Sequence, residues 1–328
     1  MAQPIHNERA KKIFEPTEEY ISKAAEILKR GGLVAFPTET VYGLGANALD
    51  ERAVGKIFEA KGRPCDNPLI LHISSADEAS LYAEVTPGAL ALMERFWPGP
   101  LTIVLRAADI VPLAARGGLE TVALRAPANP VALALIRKIQ LPLAGPSANK
   151  SGRPSPTRAI DVLNDIGDAV DMILDGGETR IGVESTVVDA TERPLAILRP
   201  GAVTREMLAA APVEIAEAWT RSPEKARRSP GTRYRHYAPS VELRLWEDDS
   251  QGVFGAEGAW CYMGMRKPPE GALRAIIFAT PEEYAHGLFS TMRELERCGA
   301  KLIIADFPDV PGLGEAIRNR LSRAAGRY

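Results

Sequence analysis

The stretch GGLVAFPTETVYGLGANALDERAVGKIFEAKGRPCDNPLILH, residues 31–72, decides how the chain is read. Its apolar run Leu33 to Phe36 stops at Pro37 and gives way to Thr38, Glu39 and Thr40, the pattern of a strand delivering polar groups to its own end. Tyr42 supplies one aromatic ring. Gly43 and Gly45 let the backbone turn, or come close to a bound group, where a side chain would clash. Asp50 is placed to cap a helix carrying Val54, Ile57 and Phe58 on one face and running down to Lys61. That helix aims a second polar cluster, KGRPCDNP over 61–68, in which Lys61 and Arg63 suit a multiply charged anion such as a triphosphate and Asn67 can donate and accept beside them. Leu69 to Ile73 then reads as a strand covered on both faces, with His72 near its end. Taken singly, glycines mark turns, cations favour helix ends, and a histidine in an apolar run sits on a sheet face. Their concentration in one strand, helix, strand unit makes that unit the candidate site.

A length of 328 residues predicts two domains. Hydrophobic residues at 45% and charged residues at 25% are those of an ordinary globular chain, and a net charge of -2 supplies no global basic field, so any RNA contact would have to be local. No run approaches a membrane span and the first 16 residues lack a signal-peptide core, so a cytoplasmic location is expected. Cys65, Cys261 and Cys298 are widely separated, which points to neither a disulfide framework nor a cysteine-built zinc site.

In chain order, a tail over 1–16 precedes a helix with Ile21, Ala24, Ala25 and Leu28 on one face, ended by Gly31. Beyond the opening unit, helices are predicted over Pro87 to Phe96 and Pro130 to Ile139, and strands over LTIVL (101–105), TVALRAP (121–127) and PLAG (142–145). Arg125 is embedded in the second of these strands, and a buried arginine needs either an internal carboxylate or a bound anion. The loop PSANKSGRPSPT (146–157) offers Ser147, Asn149, Ser151, Ser155 and Thr157. Further on, Ile173 and Leu174 suggest a strand, and VESTVVDA (183–190) and LAILRPG (195–201) read as an antiparallel hairpin, which makes the sheet mixed. Ser185 stands at the mouth of the first hairpin strand and Arg199 at the end of the second. From 211 to 240 prolines and arginines describe an extended connection, with Tyr234, His236 and Tyr237 grouped near its end. VELRLW, GAWCYM, LRAIIFA and AKLIIADF, with helices near 281–298 and 314–325, complete a small α/β unit over 241–328 that lacks a GxGxxG fingerprint.

PTETVYGLG followed by KGRPCDNPLILHI resembles the signature of the YrdC-like family, and SPGTRYRHYAP resembles the linker of its two-domain members, the threonylcarbamoyl-AMP synthases. Thr232 and Arg233 stand where methionine and lysine are commoner in that motif. The resemblance implies a YrdC-like twisted mixed sheet over 17–210, a lid over 211–240, and a Rossmann-like accessory domain. It implies formation of threonylcarbamoyl-adenylate and pyrophosphate from L-threonine, bicarbonate and ATP, with Mg accompanying the ATP, for tRNA modification by downstream threonylcarbamoyl-transfer proteins. Thr40, His72, Arg125 and Ser185 match the threonine-binding set. Arg63, Asn67, Thr121, Ser147, Ser155 and Arg199 match the ATP set, with Lys61 joining Arg63 on phosphate charge and Tyr237 or His236 reaching in from the lid. The alternative is an RNA-binding or ribosome-assembly module, gripping phosphates with the same cations and without turnover.

Overall fold

The computed structural model describes residues 11–216, 227–229, 236–247, 260–268 and 270–327. The first domain is built on a ten-stranded sheet: β1 (Ile13–Phe14), β2 (Val34–Phe36), β3 (Gly43–Asn47), β4 (Ile70–His72), β5 (Leu101–Arg106), β6 (Thr121–Arg125), β7 (Leu143–Ala144), β8 (Met172–Leu174), β9 (Thr186–Asp189) and β10 (Ala196–Arg199), in the spatial order β1-β8-β2-β3-β7-β4-β6-β5-β9-β10. Parallel pairs such as β4 with β6 sit beside antiparallel ones such as β9 with β10, so the sheet is mixed, as the hairpin predicts. Side chains alternate across it. Leu33 and Ala35 face a core shared with Leu44, Ile57 and Leu124, while Val34 and Phe36 face a second core with Leu28, Leu135 and Leu174. Helix α1 (Glu18–Lys29), capped by the Thr17 side chain, packs on that second face with the helix Pro130–Ile139. Helix α2 (Glu51–Lys61) begins at Asp50, whose carboxylate accepts from the amides of Arg52 and Ala53, as the sequence predicts.

Two local expectations change. The tail expected through residue 16 gives way at Ile13 to a short strand paired with Ile173 and Leu174. Gly43 and Gly45, read as a turn or a point of approach, lie within β3, antiparallel to β2. A Cβ on either would come within 3.1 and 3.0 Å of the Phe36 ring, so this strand needs glycine because an aromatic ring lies across it. Gly43 also borders the cavity described below, so its backbone does reach the site.

The second domain is a four-stranded, all-parallel sheet of β11 (Glu242–Trp246), β12 (Trp260–Gly264), β13 (Arg274–Ile277) and β14 (Leu302–Asp306), ordered β11-β14-β12-β13. Helices α3 (Pro281–Arg297) and α4 (Leu313–Ala324) pack against it. Both helices also face the first domain. Arg293 pairs with Asp165 at 2.8 Å, Arg153 with Glu296 at 2.8 Å, and Arg205 with Glu315 at 3.3 Å. An apolar cluster joins Val41 and Val183 of the first domain to Leu288, Phe289, Met292 and Leu321 of the second, with Tyr237 among them. Within the connection over 211–240, Arg228 holds Asp189 at 3.0 Å, and the Leu195 amide bonds the Glu214 carbonyl. Tyr234 and most of the connection's basic residues lie outside the described residues.

Candidate active site

The ends of β2, β4, β6 and β10 and the mouth of β9 converge on one cavity. Thr38, Thr40, Tyr42, Gly43, Arg63, His72, Arg125, Ser147, Glu184, Ser185, Arg199, His236 and Tyr237 line it. All the predicted threonine-set residues, Thr40, His72, Arg125 and Ser185, stand on its wall. Of the predicted ATP set, Arg63, Ser147, Arg199 and Tyr237 stand there too, with His236 adjacent.

Four assigned residues are not among those lining the cavity. Lys61 Nζ donates to the carbonyls of Ser147 and Asn149, each at 2.5 Å, which fixes the hydroxyl-rich loop from beneath. Burial, and then the neighbouring Arg63 charge, pull its pKa well below the ordinary lysine value. Ser155 donates to Glu184 at 2.5 Å. Asn67 is buried with its Oδ1 unpartnered among the described residues, and Thr121 begins β6, at the opposite end of that strand from Arg125.

The carboxylate partner that Arg125 needs is Glu39. Arg125 Nη2 lies 2.7 Å from Glu39 Oε1, with both side chains 4% exposed. Among the described residues neither Glu39 oxygen has a hydrogen-bond donor, so the contact is a charge pair outside hydrogen-bond alignment. Arg125 also donates to Thr40 Oγ1 at 3.0 Å and to the Gly99 carbonyl at 3.2 Å. Across the cavity, Arg199 donates to the Ser185 hydroxyl at 3.1 Å and its carbonyl at 2.9 Å, and Ser185 shares a 2.8 Å hydrogen bond with Thr102. Arg63 donates to the carbonyl of Pro68 at 3.0 Å, which folds the KGRPCDNP loop back on itself.

His72 packs edge-on against Phe36, ring centroids 5.8 Å apart, and its Nδ1 has no hydrogen-bond partner among the described residues. A Cβ at position 145 would lie 2.7 Å from that nitrogen, so Gly145 is what lets the ring sit where it does. Burial and then the Arg125 charge lower its pKa to about 3. His236 is lowered likewise, by burial and then by Arg63. Both rings are therefore neutral near pH 7. The unfolded chain takes up a proton on His72 as pH falls through 6.5 while the folded chain resists until about 3, so this residue makes stability fall with pH across that window. We expect His72→Gln to flatten the acid side of a urea-unfolding stability profile. An unchanged slope would mean that the ring is hydrated enough to protonate in place.

Glu184 is the wall residue the sequence did not single out. Burial alone would raise its pKa, but Arg320, Arg199 and bonds from Ser155 and Arg320 hold it below the ordinary carboxylate range. A charge between Val183 and Ser185 at a strand mouth was the available signal, of the same kind that pointed to Arg125.

Comparison with known proteins agrees with this architecture. A family model for Sua5, YciO and YrdC, described as "Telomere recombination", matches residues 26–201. A second, described as "Threonylcarbamoyl-AMP synthase, C-terminal domain", matches 203–326. The chain is 46% identical to a threonylcarbamoyl-AMP synthase of Pyrococcus abyssi, covering 96% of each, and 43% identical to one of Bacillus subtilis, covering 93% of each. The crystal structure of P. abyssi Sua5 complexed with L-threonine superposes with a TM-score of 0.85 at 43% identity, covering 96% of each chain.

Proposed function

The chain belongs to the Sua5/YciO/YrdC family in its two-domain form, and on that premise we propose that it is a threonylcarbamoyl-AMP synthase, forming the adenylate and pyrophosphate from L-threonine, bicarbonate and ATP for threonylcarbamoyladenosine modification of tRNA. The observation that carries this reading is the wall itself: Arg63, Arg125 and Arg199, all buried, meet the hydroxyls of Thr40, Ser147 and Ser185 and a neutral His72 in one cavity.

The reaction is adenylyl transfer. The threonine amine adds to the carbon of carbon dioxide or bicarbonate, forming an N–C bond and releasing a proton in the first case and, as a C–O bond breaks, water in the second. An oxygen of the resulting carbamate then attacks the α-phosphorus, and the bond to pyrophosphate breaks. No side chain needs to act as nucleophile, so the protein's work is positioning and charge stabilisation. Arg125 is suited to the threonine carboxylate, since its pairing with Glu39 lacks a hydrogen bond that a better-aligned carboxylate could make. The neutral His72 can accept from the amine, with Thr40 and Ser185 orienting it. Arg63 and Arg199 are suited to phosphate oxygens, and Tyr237 and His236 to closing over the nucleotide. Lys61, Asn67 and Ser155 support the loops that present these groups. Magnesium, expected with ATP, would neutralise phosphate charge beside Arg63 and Arg199. Among the described residues no three His, Cys, Asp or Glu side chains converge. No helix among the described residues is long and apolar enough to cross a membrane. The adenylate then passes to tRNA threonylcarbamoyl-transfer proteins, with any direct tRNA contact weak and confined to the basic connection.

Pyrophosphate release from ATP, with threonine and bicarbonate each present or omitted, tests this reading. Release that requires both is expected. ATP binding without release under any condition, together with RNA binding that weakens steeply with salt, would favour the recognition module instead.

A further inference from the structure

Helix α4 of the second domain sends Arg320 into the first, where its side chain is 0% exposed. Its Nε donates to Glu184 at 2.6 Å and its Nη1 to the Pro200 carbonyl at 2.9 Å, while the guanidinium lies 5.3 Å from the centroid of the Tyr237 ring. Glu184 stands on the cavity wall beside Ser185, and its other oxygen accepts from Ser155. Phe289 of α3 stacks on Tyr237 as well, centroids 5.4 Å apart at 28°. Tyr237 has φ +66°, a left-handed conformation that a bulky residue keeps only where its surroundings over-determine it. A buried ion pair seldom adds net stability over apolar residues of like volume, so the fold alone is a poor reason for this one.

We propose that Arg320 is a positioning residue of the cavity, fixing Glu184 in the wall and holding Tyr237 over the site, so that the second domain takes part in catalysis without touching substrate. The inference rests on the synthase reading and extends it to a domain for which that reading assigns no chemistry.

The groups facing Glu184 are Arg320 from α4, Arg199 from β10 and Ser155 from the loop after β7. Without Arg320, burial is opposed, among the described residues, by Arg199 and Ser155, and the carboxyl protonates at higher pH. In Arg320→Gln, the acid limb of kcat/KM for pyrophosphate release, followed from about pH 5 to about pH 9, should therefore move upward. The KM for ATP should rise about tenfold, within the range of indirect coupling. Arg320→Lys, which keeps the charge, should restore the acid limb. A folded Arg320→Gln with the wild-type profile and wild-type KM would overturn the proposal.

If Arg320→Gln fails to fold, the doubly neutral Arg320→Gln/Glu184→Gln carries the test. Its acid limb should be free of the Glu184 step, yet its KM for ATP should stay raised because Tyr237 has lost the Arg320 guanidinium, the Phe289 stack notwithstanding; a wild-type KM would overturn the proposal. The wild-type protein separates the two readings. Failure of wild type to release pyrophosphate sinks the synthase reading, and direct ATP titration of wild type against the double variant then decides the Arg320 role by the same criterion. A wild type that binds no ATP takes both readings down.

Discussion

Arg63→Ala lowers turnover about 10²- to 10³-fold, the loss expected when one preorganised donor is removed from developing negative charge. Arg63 is 7% exposed, lines the cavity, and is anchored to the carbonyls of Pro68 and Asn67 by its own loop, so its charge is aimed before any ligand arrives. Each hydrogen bond from this charged donor contributes about 1.5–3 kcal/mol, so Arg63→Ala also costs stability, and turnover is read on protein shown by urea unfolding to be folded. The fall should appear in kcat and kcat/KM for pyrophosphate release together, because phosphate charge peaks in the transition state. Arg63→Lys should recover part of it, since an ammonium keeps the charge and loses the fork. Full activity in a folded Arg63→Ala would remove the residue from the phosphate site.

Glu39→Ala destabilises the free protein by about 3–5 kcal/mol, measured by urea unfolding, because it leaves the Arg125 charge buried without a counter-ion. Thr40 and the Gly99 carbonyl still accept from Arg125, but neither is charged. The same change frees the guanidinium for an outside carboxylate. Added L-threonine should therefore restore more stability to Glu39→Ala than it adds to wild type, through binding to the folded state. Glycolate, a carboxylate lacking the amine, should restore less. A cost below about 1 kcal/mol would put the pair in the class of solvated ion pairs, and an equal response to threonine in both proteins would take Arg125 out of carboxylate recognition.

Much of this site could be read from residue order, for a physical reason. His72, Arg125 and Arg199 each interrupt an apolar run at its end, and in a sheet buried on both faces the strand ends are where polar groups escape the core. Helices with strong periodicity and caps, such as Pro87–Phe96 and Pro130–Ile139, fell where expected. The connection between partners was less legible. Arg125 called for a carboxylate, but Glu39 is far away in sequence, and only strand pairing brings them together. The β3 strand was hidden because its glycines answer to the Phe36 ring on the neighbouring strand, a cause with no local signature. Lys61 carried the right charge in the right motif, yet faces the backbone of the 147–149 loop, since a long side chain's direction is set by packing. Arg320 had no signal at all: one of several arginines on an amphipathic helix, it is distinguished only by where that helix lies.

A chain of this sequence stopped at residue 201 would keep all ten strands of its sheet, yet Val41 and Val183 would lose their apolar neighbours and Glu184 its nearest cation. The seam between the two family regions, at 201 and 203, thus passes beside a core that both sides built. Positions 41, 183 and 184 lie in the first region but take their surroundings from the second, so a chain cut at the seam would leave two valines uncovered and a buried carboxylate short of a cation.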